Sequence, residues 1–333
     1  MIDLHFHLDG AMTLADVEYL AQIEHVILPD DYKERIHVGP ACTSLNDYLQ
    51  MFDIPTSLLQ TDVALYEFTK RVLNRLADQG LVYVELRFAP QLQTEQGMTQ
   101  ERAVQCVMDA MNEMRNRIDS SLILCYMRHS GNDHKNFETM RLAKKYLHHG
   151  VEAVDLAGAE ALYKTGNFAQ IFRATREEGI PCTIHAGEAD DWISVESAIA
   201  LGAKRIGHGV RCVGNAYTMK YLEEQAIPLE LTPTSEVQTH CVSSLKGPEY
   251  KTLFQSGLTL TVNTDNPGIS NIDLAHEYRV LKDEVGVSED QSLELMLNAV
   301  ECAFCSEDVR KRIRHRILTN FKEWYRKNVL LED

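Results

Sequence analysis

Eight short segments of β-type sequence recur along the 333-residue chain, and longer amphipathic segments of helical period separate them. The β-type segments are residues 2–8, 81–89, 121–128, 151–158, 180–187, 204–209, 227–233 and 258–265. Helical segments such as 63–80 and 167–179 end on a glycine, which is the usual residue just beyond a helix C-terminus. Eight β-then-α units with short connections predict an α/β fold of the (β/α)8 TIM-barrel type.

The first β-then-α unit departs from this pattern, because about 70 residues separate its strand from the second one. We predict that this stretch is a helical insertion after strand 1 that covers one mouth of the barrel. Part of residues 45–60 is expected to line the pocket; the alternative is a helix packed on the side of the barrel. No linker divides the chain, so residues 1–333 are expected to form a single domain. A doubly wound open sheet is the alternative fold, but no G-x-G-x-x-G follows any strand.

The composition of the chain limits its expected binding partners and its expected cellular compartment. A net charge of −16 repels phosphate backbones, so nucleic acid is not an expected partner. No apolar stretch approaches the roughly 18 residues that span a membrane. The chain enters a strand directly, without the basic and apolar regions of a secretory signal, and its eight cysteines are scattered. We therefore expect a cytoplasmic protein, and the pattern indicates no particular oligomeric state.

The stretch IDLHFHLDG (2–10) places unusual side chains on a strand that is otherwise apolar. Alternate residues of a strand share a face, so His5, His7 and Asp9 should project together, opposite an apolar face. Two imidazoles side by side can chelate a metal. The alternative is a half-exposed edge strand whose polar residues face water.

Ligand-type residues recur at the carboxyl ends of other predicted strands, where barrel enzymes carry their catalytic groups. Beyond the first strand these residues are His185 and Glu188 after strand 5, His208 after strand 6, and Asp265 and Asn266 after strand 8. Three imidazoles (His5, His7, His185) and the carboxylate of Asp265 form a set of ligands suited to zinc. Such a metal lowers the pKa of a bound water and supplies a hydroxide near neutral pH.

The motifs HFHLDG, HAGE, GHG and NTDNP, in this order, resemble those of the adenosine deaminase family in the amidohydrolase superfamily. The stretches YVELRFAP (83–90), CYMRHS (125–130), VDLAGAE (154–160) and TPTSEVQTH (232–240) are also similar to that family, so the resemblance covers nearly the whole chain. It implies a zinc-dependent hydrolase that converts adenosine or 2′-deoxyadenosine to inosine or 2′-deoxyinosine and ammonia. A small-molecule purine nucleoside would be its substrate.

The resemblance also implies roles for individual residues. One zinc ion would be held by His5, His7, His185 and Asp265. Glu188 would move a proton between the attacking hydroxide and purine N1, His208 would orient the nucleophilic water, and Asp265 would accept a hydrogen bond from it. The alternatives are that Glu188 is an exposed carboxylate at a helix N-terminus and that His208 is a turn residue.

Substrate contacts are implied in the same way. Asp9 would hold the ribose 5′-hydroxyl, the backbone of Gly158 would face purine N3, and Asn266 would face N7. His7 is expected to contact the substrate as well as the metal. The alternative for Gly158 is an ordinary loop glycine.

Three positions depart from the pattern of the family. Asn266 stands where a second aspartate is more usual, Ala159 replaces the aspartate of AGDE, and Glu236 replaces an asparagine. None of these removes a predicted metal ligand or the acid–base glutamate, but they leave the purine contacts and the sugar preference open, so a deaminase of free adenine or of a modified adenine nucleoside is an alternative. Another amidohydrolase and a catalytically silent binding protein are further alternatives. A two-metal amidohydrolase would carry a bridging lysine or glutamate after strand 4, and VEAVDLAG ends without lysine.

Overall fold

Eight parallel strands form the centre of the computed structural model, which describes residues 1–129 and 133–332. The strands are β1 Ile2–His7, β2 Tyr83–Phe88, β3 Asp119–Arg128, β4 Val151–Gly158, β5 Thr183–Ala186, β6 Arg205–His208, β7 Leu229–Leu231 and β8 Leu260–Val262. All eight predicted strands are therefore confirmed. Six of the eight are shorter than predicted, and β5 ends at Ala186 because the next residue, Gly187, turns the chain with a φ of 71°.

The strands form two hydrogen-bonded sheets of four, in the orders β1-β2-β3-β4 and β5-β6-β7-β8. Single parallel bridges join the sheets at both seams, from Val154 to Cys182 and from Phe6 to Asp265. The second seam consists of the bonds from the His7 amide to the Asp265 carbonyl and from the Asp265 amide to the His5 carbonyl, both 2.8 Å long. This arrangement is that of a (β/α)8 barrel, as predicted.

Helices surround the strands along the described part of the chain. They are α1 Leu14–Ile23, α2 Tyr32–Arg35, α3 Leu45–Leu49, α4 Asp53–Leu58, α5 Asp62–Asp78, α6 Gln100–Met114, α7 Asp133–Lys145, α8 Ala169–Glu177, α9 Trp192–Leu201, α10 Ala216–Glu224, α11 Pro233–Gln238, α12 Pro248–Gln255, α13 Pro267–Ser270, α14 Leu274–Val280, α15 Glu289–Cys302 and α16 Glu307–Asn328. Short 3₁₀ turns cover Asp9–Ala11, Gln50–Phe52, Pro90–Leu92, Thr165–Phe168 and Val210–Gly214, and a π-helical turn covers Leu281–Val285.

Local sequence accounts for the ends of these helices. The side chain of Thr61 accepts the Ala64 amide at the start of α5, and Gly80 beyond its end has a φ of 84°. Helix α8 begins later than its sequence pattern because the first residues form the 3₁₀ turn Thr165–Phe168. Within the described residues, no helix combines the length and the apolar character needed to cross a bilayer.

The predicted insertion after β1 is confirmed, since α1 to α5 all lie between β1 and β2. One part of the predicted strand face is wrong. Strand β1 ends at His7, and Asp9 belongs to the following 3₁₀ turn rather than to the face shared by His5 and His7. Ser130, the last residue of the motif CYMRHS, lies outside the described residues.

Candidate active site

Four potential metal ligands converge at the carboxyl ends of β1, β5 and β8. His5 and His7 lie on β1 and His185 lies on β5, while Asp265 follows β8. The backbone bonds at the seam between the sheets bring Asp265 beside both β1 histidines. Among the described residues, these four form the one cluster of three or more histidine, cysteine or acidic side chains able to hold a metal ion.

The distances within this cluster suit one tetrahedral ion. The Nε2 atom of His185 lies 3.0 Å from Nε2 of His5 and 3.1 Å from Nε2 of His7. The Oδ1 atom of Asp265 lies 3.3 Å from His5 Nε2 and 3.4 Å from His7 Nε2. Ligands about 2.0–2.1 Å from a zinc ion stand about 3.3 Å apart in a tetrahedron. The four side chains therefore fit a single zinc ion.

Buried carboxylates set the orientation of two of these imidazoles. Nδ1 of His5 donates to Glu230 at 2.7 Å, and Nδ1 of His185 donates to Asp155 at 2.9 Å. A neutral imidazole that donates from Nδ1 carries a lone pair on Nε2. The lone pairs of these two Nε2 atoms then face the carboxylate of Asp265 at close range, an arrangement suited to a metal cation between them.

Two arginines hold these carboxylates inside the barrel. Arg87 bonds both Asp155 and Glu230 at 2.9 Å, and Arg205 bonds Glu230 and Glu85 at 2.5 Å. All five side chains are buried, and each of them contacts a side chain of opposite charge. This pairing offsets the cost of burying the charges. Sequence reasoning missed this network. The signal for it was the presence of charged residues within apolar strands, as in YVELRF of β2.

A cavity of about 700 Å³ opens above the cluster. Its lining includes nearly all the residues predicted for the site, namely His7, Asp9, Gly158, His185, Glu188, His208, Asp265 and Asn266. His5 lies behind them with no exposed surface. The structure thus brings the predicted residues of strand ends 1, 5, 6 and 8 together, along with Gly158 at the end of β4.

Glu188 and His208 face each other beside the ligand cluster. The Oε2 atom of Glu188 lies 3.6 Å from Nε2 of His208, and both side chains are buried. Burial raises the pKa of the Glu188 carboxyl above its usual value. A carboxyl whose pKa is raised keeps its proton to higher pH than an ordinary glutamate, which favours a role as a general acid–base group.

The loop that carries Glu188 is wrapped around another carboxylate, that of Glu160. Glu160 accepts the backbone N–H groups of four consecutive residues, 187 to 190, at distances of 2.6–3.1 Å. It also accepts the hydroxyl of Ser194 at 2.5 Å. Sequence reasoning quoted Glu160 within VDLAGAE but gave it no role. Glu160 and the residues that it bonds lie 27–30 positions apart in the sequence, so no local pattern predicts the contact.

The start of α11 provides polar groups that were also missed, because no site residue was predicted after β7. Ser235 donates its hydroxyl to Asp265 Oδ2 at 2.6 Å, and Thr232 contacts His208 Nδ1 at 2.9 Å. The polar run TPTSE immediately after β7 was the available signal.

Two glycines permit close contacts at the walls of the site. Gly158 has a φ of 104°, a conformation that L-residues rarely adopt, and it lines the cavity at the end of β4. A Cβ atom at Gly10 would lie 2.0 Å from Oδ1 of Asn266. Glycine at position 10, the last residue of HFHLDG, therefore leaves the space that the side chain of Asn266 occupies at the mouth of the barrel.

The insertion forms one wall of the cavity. Seven of its residues line the cavity: Leu45, Tyr48, Leu49, Phe52, Asp53, Thr56 and Ser57. The prediction that part of residues 45–60 lines the pocket is confirmed. This wall is mostly apolar, with Asp53 as its charged member.

Comparisons with known proteins agree with this architecture. The model of the family described as adenosine deaminase matches residues 1–320. An adenosine deaminase of Haemophilus ducreyi is 39% identical over 333 residues, covering 97% of this chain and 97% of that protein. The crystal structure of an adenine deaminase from Arthrobacter aurescens is similar with a TM-score of 0.88 at 22% identity, covering 96% of this chain and 98% of the other. An N6-mAMP deaminase from Arabidopsis gives a TM-score of 0.86 at 23% identity, covering 96% and 97%. The chain belongs to the adenosine deaminase family.

Proposed function

We propose that this protein is a zinc-dependent hydrolase that converts adenosine and 2′-deoxyadenosine to inosine and 2′-deoxyinosine, with release of ammonia. The observation that carries the proposal is the convergence of His5, His7, His185 and Asp265 at the floor of a cavity that also holds Glu188 and His208. The family match and the adenosine deaminase from Haemophilus ducreyi support the same reaction.

A single zinc ion would be held by the four converging side chains. It would lower the pKa of a bound water, so that a hydroxide is available near neutral pH. The three nitrogen donors and one carboxylate oxygen match the preference of zinc, and their spacing leaves room for one ion. Asp155 and Glu230 would hold two of the imidazoles in the orientation that ligation needs.

The protein groups would then guide a water molecule to purine C6. His208 and Asp265 would orient this water, and Glu188 would take its proton and deliver it to N1. Protonated N1 accepts the electron pair displaced from the ring when the new C6–O bond forms. The remaining proton of that water, now on the new C6–OH group, passes to the 6-amino group, the C6–N bond breaks, and ammonia leaves as the C6=O bond of the product forms. One water is consumed for each ammonia released.

The charges lining the cavity favour a nucleoside over a nucleotide. Asp9, Asp53 and Glu95 line the cavity, and their charges would repel a phosphate group. Arg128 is the one lysine or arginine among the described lining residues, and its terminal nitrogens already bond two carbonyls and a hydroxyl. Asp9 would instead accept the 5′-hydroxyl. A cavity of about 700 Å³ is within the usual range for a ligand larger than a bare purine.

Contacts to the purine follow from the remaining lining residues. The backbone of Gly158 would face N3, and the side chain of Asn266 would face N7. An asparagine amide can donate to N7 at any working pH, whereas an aspartate must first be protonated. Asn266 is therefore expected to preserve recognition of 6-aminopurines. Ala159 also lines the cavity and adds no charge where the family more often has aspartate.

A panel of 6-aminopurines tests the proposal. Adenosine, 2′-deoxyadenosine, adenine and AMP are incubated with zinc-loaded protein, and the loss of ultraviolet absorbance is followed together with ammonia release. We expect both nucleosides to be turned over at least about 100-fold more efficiently than AMP or adenine. Preferred turnover of adenine or AMP, or of none of the four, would refute the proposed substrate.

Two further properties belong to the same proposal. We propose a single domain over residues 1–333, supported by one contiguous cluster of buried apolar side chains that extends from Met1 to Val329. We also propose a cytoplasmic location, supported by the eight cysteines, all of which are free thiols.

A further inference from the structure

Glu236 is a buried carboxylate behind the predicted catalytic histidine, at a position where the family more often has asparagine. It lies in α11 and has no exposed surface. One of its oxygens, Oε2, accepts the hydroxyl of Tyr250 at 2.5 Å. The other, Oε1, accepts the backbone N–H of Thr232 at 3.0 Å and lies 3.5 Å from Nδ1 of His208. This chain has therefore placed a negative charge next to that imidazole.

Thr232 connects the same two groups. Its hydroxyl lies 2.9 Å from His208 Nδ1 and 3.5 Å from Glu236 Oε1. An ionised carboxylate only accepts hydrogen bonds, so the threonine hydroxyl donates to Glu236 and accepts from His208. The hydrogen bonds then run in one direction, from His208 Nδ1–H through Thr232 to Glu236. The opposite arrangement would point a lone pair of Nδ1 toward the carboxylate.

We propose that Glu236, acting directly and through Thr232, is a positioning residue that keeps the proton of His208 on Nδ1 and leaves Nε2 as an acceptor. Nε2 is the atom that faces Glu188 at 3.6 Å inside the cavity. With its lone pair there, His208 accepts a hydrogen bond from the nucleophilic water. That catalytic consequence rests on the function proposed above. The tautomer itself does not, because the groups that favour it, Thr232 and Glu236 beside Nδ1, belong to the chain and bind no substrate.

A purely structural role for Glu236 is the competing explanation. Its bond to the Thr232 amide ties down the start of α11, as a helix cap does. Glu277 offers a matched control for that role. It is equally buried, and it accepts the amide and the hydroxyl of Thr234 on the same helix at 3.1 and 3.0 Å. Its hydrogen bonds do not involve His208.

The first test is direct observation of the tautomer. The protein is labelled with ¹⁵N-histidine and loaded with zinc, and the His208 signals are assigned by comparison with a His208→Gln variant. In the wild type we expect His208 to be protonated on Nδ1 and unprotonated on Nε2. In Glu236→Gln we expect a second population protonated on Nε2. A wild-type protein that carries a proton on Nε2 would overturn the proposal, whatever its substrate.

The second test separates positioning from stability. Glu236→Gln is expected to lower kcat by about 10- to 100-fold, the range for partners that orient functional groups, with KM changed less than about twofold. Glu277→Gln is expected to keep kcat within about twofold, although it removes an equally buried carboxyl that accepts hydrogen bonds from the same helix. Equal losses of kcat in the two variants would assign Glu236 a structural role and contradict the proposal. If Glu236→Gln does not fold, the wild-type tautomer decides alone.

Discussion

Replacing Glu160 by glutamine should release the loop that presents Glu188. The carboxylate of Glu160 is buried and accepts four backbone N–H groups of residues 187–190 as well as the Ser194 hydroxyl. Glutamine has the same shape but only one acceptor oxygen. Whichever oxygen becomes an amide nitrogen, at least one backbone N–H of the loop then faces another donor, since Oε1 accepts from Gly187 and Oε2 from the next three residues.

The size of this effect follows from the hydrogen bonds lost or weakened. An orphaned buried N–H costs about 1–3 kcal/mol. Each of the three other backbone bonds exchanges a charged acceptor for a neutral one, at about 1 kcal/mol each. The sum is about 4–6 kcal/mol, a large part of the roughly 5–15 kcal/mol that stabilises a whole domain. Local opening of residues 187–190 is therefore the expected outcome.

Hydrogen exchange and kinetics together measure this opening. In Glu160→Gln, exchange of the 187–190 amides should accelerate by about 10³- to 10⁴-fold, since about 1.4 kcal/mol is a factor of ten, and kcat should fall at least about tenfold. The control is Glu152→Gln, at the other end of β4, where the carboxylate bonds His148 instead. Unchanged exchange across the loop, or equal effects in both variants, would refute the reasoning.

The pH dependence of stability provides an independent check on Glu160. Burial alone would raise the pKa of its carboxyl, but Arg128 and the surrounding donors outweigh burial and hold the pKa below its usual value. A carboxyl with a lowered pKa stabilises the folded state above its unfolded pKa of about 4.3, and this is lost as the pH falls through the folded pKa. The free energies of unfolding of wild type and Glu160→Gln should therefore differ most near pH 7 and converge as the pH falls from about 4.3 through the lower pKa of the folded state, as measured by denaturant titration.

Three further predictions concern other parts of the site. Glu188→Gln should keep the metal and the fold but lose about 10²- to 10⁴-fold in kcat, because an amide cannot carry the proton; turnover within a few-fold of wild type would exclude that role. Asp155→Asn should weaken zinc binding by about 10- to 100-fold in chelator competition, because the imidazole of His185 loses its charged partner; unchanged affinity would contradict this. 7-Deazaadenosine, which lacks N7, should lose about 1–3 kcal/mol of transition-state stabilisation relative to adenosine; equal kcat/KM values would exclude a bond from Asn266 to N7.

Much of the site was predictable because its residues obey local rules. The period of a strand places His5 and His7 on one face, and the parallel barrel brings the ends of β1, β5, β6 and β8 to one mouth. Asp265 could be placed at the same mouth once the motif NTDNP was assigned to the end of the eighth strand. Asp9 shows where the rule failed, because the strand ended at His7 and the chain turned into a 3₁₀ turn.

The supporting residues were not predictable from local pattern, since their partners lie far away in sequence. Glu230 and His5, which bond each other, are 225 residues apart in the sequence. The buried charge of Glu230 is compensated by Arg87 and Arg205, which are also distant in sequence. Glu160 likewise has no local signature for the loop it holds. A charged residue inside an apolar strand predicts a buried partner, but only the closed arrangement of strands identifies that partner.

The central claim is that one metal ion, held by His5, His7, His185 and Asp265, supports the deamination of adenosine. Protein stripped of metal is titrated with zinc while the loss of adenosine and the release of ammonia are followed. The predicted result is activity that rises from near zero, stops rising at one equivalent of zinc per chain, and yields inosine and ammonia in equal amounts. A plateau only at two equivalents, full activity without metal, or no turnover of adenosine at any zinc level would contradict the account.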